Sequence, residues 1–165
     1  MKTIKTAFLL LCLLVGLTAN AQTVSYTYKA LAAEGCRMRY SVSKQDTIYS
    51  IVAMVRSDRM NFLSNPTMKI RTFTGKVLEL QGTVLSNGSQ TAGIISGNIV
   101  IPVTEINSTA QFWITPEQFE ILNDGVEKIR LTMTPMNHER TFKKDKIGKK
   151  LYQFFLKEKQ KDDNF

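Results

Sequence analysis

The side chains that could carry out chemistry in this chain are few and far apart in the sequence. The chain has one His, His138, and two Cys, Cys12 and Cys36. A cysteine nucleophile needs a base beside it, and about a hundred residues separate Cys36 from His138. Cys36 alternates with Met38 and Tyr40, which favours a buried, inert thiol over one that pairs between chains. His138 lies beside Glu139 and Arg140, and we interpret it as a solvated turn residue rather than a general base.

The sequence also shows no clear catalytic pair of carboxylates. Paired carboxylates hydrolyse glycans, and the β-rich part of the chain offers Asp46, Asp58, Glu79 and Glu105. No spacing distinguishes a pair among them. The sequence also lacks the Asp-x-Asp-x-Asp-Gly series of calcium loops, the glycine-rich loops that hold phosphate and the Gly-x-Ser-x-Gly turn of hydrolases. We predict no catalytic residue, metal site or cofactor, and keep a hydrolase with an unrecognised site as an alternative.

The first 21 residues have the three parts of a secretory signal peptide. Lys2 and Lys5 give a positive start, residues 7–17 are apolar, and Ala19–Ala21 supplies the small residues before a cleavage site. Eleven helical residues rise only about 16 Å, against roughly 30 Å of hydrocarbon, which argues against a membrane anchor. We predict a single mature domain, residues 22–165. Loss of the two lysines lowers the formal net charge from +8 to +6.

Apolar residues alternate with polar ones along most of the mature chain, and this period of two indicates β-strands. Examples are residues 36–42, 48–55 and 126–133. Asn87-Gly88 is typical of a tight hairpin turn, and Pro102 places its strand at a sheet edge or at a strand end. The predicted fold is mainly β (α+β), a single antiparallel β-sandwich or curled sheet of about eight strands.

Two helices are predicted to complete this fold. Residues 115–118, Thr-Pro-Glu-Gln, have the N-cap, the N1 proline and the capping-box glutamine of a helix start, and Gly125 suits its end. A second, C-terminal amphipathic helix is predicted at about 142–158, with Gly148 weakening its first half. Its apolar stripe consists of Ile147, Leu151, Phe154 and Phe155.

Most of the net positive charge lies in this C-terminal segment. From residue 138 onward, basic residues outnumber acidic ones by four, against two for residues 22–137. The candidates for contact with an anionic partner are Lys143, Lys146, Lys149, Lys150 and Lys157. One interpretation is a surface helix that binds anionic lipid or lipopolysaccharide. The other, which we favour, packs the apolar stripe on the sheet and leaves the lysines in solvent.

Four stretches resemble an uncharacterised family of small exported proteins of Bacteroidetes. They are Val55–Arg59, Ile114–Phe119, Gly125–Arg130 and Lys144–Tyr152. The resemblance covers most of the mature chain and implies no activity or catalytic residue. It implies export to the periplasm or cell surface of a Gram-negative bacterium. Such proteins can be O-glycosylated at Asp-Thr followed by a small apolar residue, which makes Thr47 a candidate.

These features favour an exported, non-enzymatic binding module that recognises another macromolecule of the bacterial envelope. An anionic membrane surface is the alternative partner, reached through the basic helix. Nucleic acid is not an expected partner, because the protein is predicted to be exported and its lysines are not interleaved with exposed aromatic residues.

Overall fold

The computed structural model of the protein describes residues 22–28, 36–58 and 61–162. Their order is β1 (Thr23–Tyr28), β2 (Cys36–Gln45), β3 (Ile48–Ser57), β4 (Thr67–Thr72), β5 (Val77–Ser96), β6 (Ile99–Trp113), α1 (Pro116–Leu122), β7 (Val126–Leu131), β8 (His138–Thr141) and α2 (Gly148–Asp162). The predicted signal peptide lies outside the described residues, and so does the predicted burial of the Cys36 side chain.

All eight of these strands belong to one antiparallel sheet, which curls into a half-barrel. Their order across the sheet is β1-β2-β3-β6-β5-β4-β7-β8. The mainly β prediction is therefore confirmed, in the form of a curled sheet. Within the described chain β1 and β8 are its two edges, yet the hydroxyl of Tyr26 in β1 lies 2.7 Å from Nε2 of His138 in β8. The curl thus brings the first and last strands together.

One face of the sheet forms the core, and α2 covers part of it. The alternation predicted for β2 is confirmed over residues 37–40, since Met38 and Tyr40 are fully buried while Arg37 and Arg39 are exposed. The ring of Phe155 in α2 stacks on Phe119 of α1 at 4.6 Å and meets Tyr49 of β3 edge-on at 5.0 Å. This aromatic cluster ties both helices to the sheet.

The start of α1 follows its sequence closely. The backbone N–H of Gln118 donates to the Thr115 hydroxyl at 3.3 Å, and the backbone N–H of Thr115 donates to the Gln118 side chain at 2.9 Å. This reciprocal pair is the predicted capping box. After the helix, Gly125 adopts a φ of 76°, the left-handed backbone that favours glycine. Both predicted ends of α1 are therefore confirmed.

The hairpin turn predicted at Asn87-Gly88 is wrong. β5 runs straight through these residues, and Asn87 pairs with Ser108 of β6. The chain turns instead at Gly97-Asn98, where Gly97 has a φ of 62° as the first central residue of a type II′ turn requires. Both dipeptides can form two-residue turns, but the later one lets every residue from 86 to 96 pair with β6. Pro102 accordingly lies within β6 rather than at its end.

The C-terminal helix begins later than the predicted residue 142 and ends at Asp162 rather than 158. Residues 142–147, which follow β8, belong to neither a helix nor a strand. The Asp145 carboxylate caps the helix by accepting the backbone N–H groups of Gly148 and Lys149 at 2.8 and 2.9 Å. A Cβ on Gly148 would lie 2.7 Å from the backbone nitrogen of Val126. Gly148 therefore permits the close approach of the first turn of the helix to β7.

Candidate functional site

β5 and β6 extend beyond the rest of the sheet as a two-stranded ribbon, which we call the arm, residues 89–104. β4 pairs with β5 only as far as Gln81, and β3 pairs with β6 only from Ile106 onward. In the described part of the chain, the outer edges of the arm therefore have no strand beside them. At 3.4 Å per residue the arm is about 27 Å long.

The arm exposes several large apolar side chains and carries no charge. The exposed fractions of its large apolar side chains are 78% for Ile95, 66% for Ile99, 64% for Val100 and 48% for Ile101. No charged residue occurs between Glu79 and Glu105. Proteins usually protect a free strand edge with lysines, prolines or bulges, and the arm has only Pro102 for that purpose. It therefore presents apolar side chains together with unpaired backbone groups.

The arm is not evident from the sequence, because a turn at Asn87-Gly88 divides the long hairpin in two. A usable signal was present. The uncharged stretch after Glu79 ends in an apolar run on both sides of Gly97, so a turn at that glycine brings two apolar strands together with no charge to solvate them.

A hollow of about 190 Å³ lies on the outer face of the sheet at the base of the arm. Its lining includes Arg37, Arg39, Met54, Arg56, Asn107 and Thr109. We call it the arginine hollow. In the β2–β3 register Arg37 lies directly opposite Arg56, so two positive charges face each other across neighbouring strands.

A single carboxylate partly balances the arginine hollow. Nε of Arg56 donates to both carboxylate oxygens of Glu105, at 2.9 and 2.8 Å. This hydrogen bonding, with the nearby charges of Arg56 and Arg37, holds the pKa of Glu105 below its ordinary value. Among the described residues, Arg37 and Arg39 form no ion pair. The arginine hollow therefore has more positive charge than it neutralises.

A second basic cluster on β4 and β7 provides a contrast. Its four ion pairs are Lys69–Glu79, Arg71–Glu127, Lys128–Glu139 and Arg130–Glu139, at distances between 2.6 and 3.2 Å. Every basic side chain in this paired cluster thus has a carboxylate partner, so these charges stabilise one another.

No protein-family model, curated protein or solved structure matches the chain. Its function has to be argued from the surfaces of the chain itself, of which the arm and the arginine hollow are the two most distinctive.

The lysines predicted to meet an anionic partner all face solvent. They are Lys143, Lys146, Lys149, Lys150 and Lys157. Most of the apolar stripe beside them is not available to a membrane, because Ile147, Leu151 and Phe155 are each only 1% exposed. Phe154, the fourth residue of the stripe, is half-buried against the core. The lysines therefore form a mainly electrostatic surface.

Thr47 lies in the exposed turn between β2 and β3, next to Asp46, whose φ is 53°. A modifying enzyme would find its hydroxyl at the surface. O-glycosylation of Thr47 stays a prediction.

The interpretation of His138 as a solvated turn residue is wrong, because its side chain is 1% exposed and faces the core from the start of β8. The Tyr26 hydroxyl lies between Nε2 of His138, at 2.7 Å, and the Tyr40 hydroxyl, at 3.0 Å. Burial lowers the pKa of His138 to about 4, with a further lowering by the charge of Arg140. Burial also raises the pKa of Tyr40. A four-residue strand was too short to show its alternation in the sequence.

Two of the carboxylates considered for glycan hydrolysis have basic partners, since Glu79 pairs with Lys69 and Glu105 with Arg56. Over residues 22–28, 36–58 and 61–162, no three His, Cys, Asp or Glu side chains are grouped closely enough to hold a metal ion. Over the same residues, no helix has the length and apolar character needed to cross a membrane.

Proposed function

We propose that this protein is an exported, non-enzymatic binding module of the bacterial envelope and that the arm is its binding element. One observation carries the proposal: a free-edged ribbon exposes Ile95, Ile99 and Val100 and has no charged residue. Such a surface is unfavourable in water and becomes favourable when a partner covers it. The proposed partner is an extended, uncharged segment of another protein, which adds a strand to the arm.

Strand addition fits both properties of the arm. Within the part of the chain that the structure describes, no strand pairs with the outer edges of the arm, so their backbone N–H and C=O groups can form a new antiparallel or parallel ladder. Its side chains are apolar on both faces, since Ile95 stands opposite Val100 on one face and Ile101 lies on the other. An added apolar strand would therefore place its side chains beside apolar side chains on both faces. A charged strand is disfavoured, because its charges would lie beside apolar side chains with no partner of opposite charge.

Insertion of the arm into a bilayer suits it less well. Hydrocarbon would cover the isoleucines, but it would leave the edge N–H and C=O groups unsatisfied, at several kcal/mol each. Only a second polypeptide satisfies the side chains and the backbone together.

Photo-crosslinking in cells that naturally make the protein tests this proposal. A photoreactive amino acid replaces Ile95 in one variant and Val77 in another. Val77 is 62% exposed and lies on the same strand outside the arm. We expect a discrete crosslinked protein from position 95 only, with the crosslink mapping to an uncharged segment of that partner.

A charge in the arm sharpens the test. Ile101→Lys, combined with the probe at position 95, should abolish the crosslinked product, whereas Val77→Lys should leave it intact. Crosslinks to lipid alone, or a product that survives Ile101→Lys, would show that strand addition to the arm is not the function.

The exposed lysines favour a second candidate function, electrostatic attachment to an anionic surface. None of these five forms an ion pair within the described residues. Replacing Lys146, Lys149 and Lys150 by Gln should weaken binding to anionic vesicles, and raised salt should weaken the binding of the unmodified protein. If neither change has an effect, this second function is ruled out.

A further inference from the structure

We propose that the arginine hollow is a binding site for a phosphate group. This proposal is independent of the arm, although the two surfaces meet at Glu105. It commits to a phosphomonoester-like ligand that Arg37 and Arg39 hold with help from Arg56.

The arginine hollow places like charges side by side. Side chains directly opposite each other in an antiparallel pair have their Cβ atoms about 5 Å apart, and like charges there are destabilising. Arg37 and Arg56 occupy such a pair, and Arg39 lies on the same face two residues along β2. Glu105 is bound by Arg56, which leaves Arg37 and Arg39 without an ion-pair partner among the described residues. An anion in the hollow relieves this repulsion.

The net charge of the arginine hollow matches the charge of a phosphomonoester. Three arginines and one glutamate leave a net charge of +2 at the hollow. A phosphomonoester carries about −1.5 to −2 at neutral pH, so it matches this excess, whereas one carboxylate does not.

The basic side chains of the arginine hollow are also of the type suited to phosphate. All three basic residues of the hollow are arginines, whereas the solvent-exposed C-terminal segment is rich in lysine. Guanidinium groups bind phosphate oxygens in a planar, bidentate way that an ammonium group cannot reproduce. Asn107 and Thr109 line the same hollow and add neutral hydrogen-bonding groups. The paired cluster on β4 and β7 has charge of the same sign but no excess arginine without a partner.

Titration of the purified mature protein with inorganic phosphate tests the site. Binding is followed by the NMR signals of the Arg37 and Arg39 side-chain N–H groups and of the Asn107 and Thr109 amides. We expect saturable shifts at these positions. Arg39→Gln and Arg37→Gln should each weaken binding about tenfold, and Arg39→Lys should weaken it too, since it keeps the charge but loses the planar fork.

The matched control is Arg130→Gln in the paired cluster, which removes the same charge from the same face of the sheet. It should leave the phosphate affinity unchanged, because Arg130 is already engaged by Glu139 at 3.2 Å. Arg39 is exposed, so its variants should keep the circular dichroism spectrum of the unmodified protein. Equal losses in Arg130→Gln and Arg39→Gln would overturn the proposal, since diffuse electrostatics would then explain the binding.

Two sources of phosphate are separated by a parallel sedimentation assay with phosphatidylcholine vesicles that contain or lack phosphatidic acid, whose headgroup is a phosphomonoester. Binding to free phosphate that is lost in Arg39→Gln supports a soluble phosphorylated ligand. Vesicle binding that is lost in Arg39→Gln but kept in Arg130→Gln supports a lipid headgroup in the same hollow. If neither ligand shows dependence on Arg39, the proposal is wrong.

Discussion

The arm and α2 treat their apolar residues in opposite ways. α2 has a basic outer face and buries Leu151 and Phe155 against the sheet and α1. The arm has no charge and leaves Ile95 and Ile99 in solvent. The comparison teaches that a run of lysines beside an apolar stripe is typical of a packed surface helix, whose charged face keeps it soluble. An apolar ribbon without charges lacks that protection and is the better candidate for a contact site.

The largest expected change in stability comes from removing one apolar side chain from α2, with the same kind of change in the arm for comparison. Phe155→Ala should lower the free energy of unfolding by about 3–5 kcal/mol, because it leaves a cavity between Phe119 and Tyr49. Ile95→Ala should change it by less than about 0.5 kcal/mol, since the side chain is already in solvent. Urea denaturation measures both. Similar losses for the two variants would contradict the different roles assigned to α2 and the arm.

Acid should destabilise the packed part of the sheet, which contains His138, without affecting the arm. The pKa of His138 is about 4 in the folded protein and near its ordinary 6.5 when unfolded, so the unfolded state takes up the proton first. Stability is then full above pH 6.5 and falls as the pH is lowered toward 4, by up to about 2 kcal/mol between pH 7 and pH 5. Urea denaturation at the two pH values measures this loss.

The control for the acid effect is His138→Gln, which should show a much flatter dependence over the same range. The NMR amide signals of the arm should not titrate, because no ionisable residue lies between Glu79 and Glu105. If the free energy of unfolding of His138→Gln falls equally between pH 7 and pH 5, groups other than His138 cause the loss.

A smaller loss of stability is expected at the contact that joins α2 to β7. The Asp145 carboxylate accepts backbone N–H groups from Gly148 and Lys149 in α2 and, at 2.9 Å, from Val126 in β7. Asp145→Ala should lower the free energy of unfolding by about 1.5 kcal/mol, because four backbone donors, including Ile147, lose their acceptor. Glu105→Ala at the base of the arm removes a carboxylate from an exposed ion pair and should matter much less. A larger loss from Glu105→Ala would contradict this ranking.

The smallest expected change is at the start of α1. Thr115→Ala removes the N-cap hydroxyl and should cost about 1 kcal/mol. Thr104→Ala is the matched change in the arm, where the hydroxyl lies 2.8 Å from that of Thr91 but is solvated, and its effect should stay below about 0.5 kcal/mol. Thermal melting of the two variants decides between them, and an unchanged melting curve for Thr115→Ala would contradict the capping box.

The parts of the fold that were predicted from sequence depend on neighbouring residues. The capping box at Thr115 and Gln118 and the alternation of Met38 and Tyr40 are set within a few positions, so the pattern alone reveals them. The hairpin turn was misplaced because Asn87-Gly88 and Gly97-Asn98 are both good turn formers, and the choice depends on pairing with β6 along its whole length.

The candidate sites could not be predicted for the same reason. Arg37 and Arg56 become neighbours only through the β2–β3 register, and the arm becomes exposed only because β3 and β4 stop short of it. The burial of His138 required knowing that β8 curls round to meet β1. Each of these facts depends on contacts between residues far apart in the chain.

The contact between Tyr26 and His138 also sets an order of events during synthesis. These residues are 112 positions apart, and they join the first strand to the last. A chain that emerges from the ribosome amino terminus first cannot complete this contact until β8 has been made, and α2 follows later still. Until then the concave apolar face stays open. Folding should therefore be late and slow, as expected when pairings are distant, because the sheet cannot close before β8 is available.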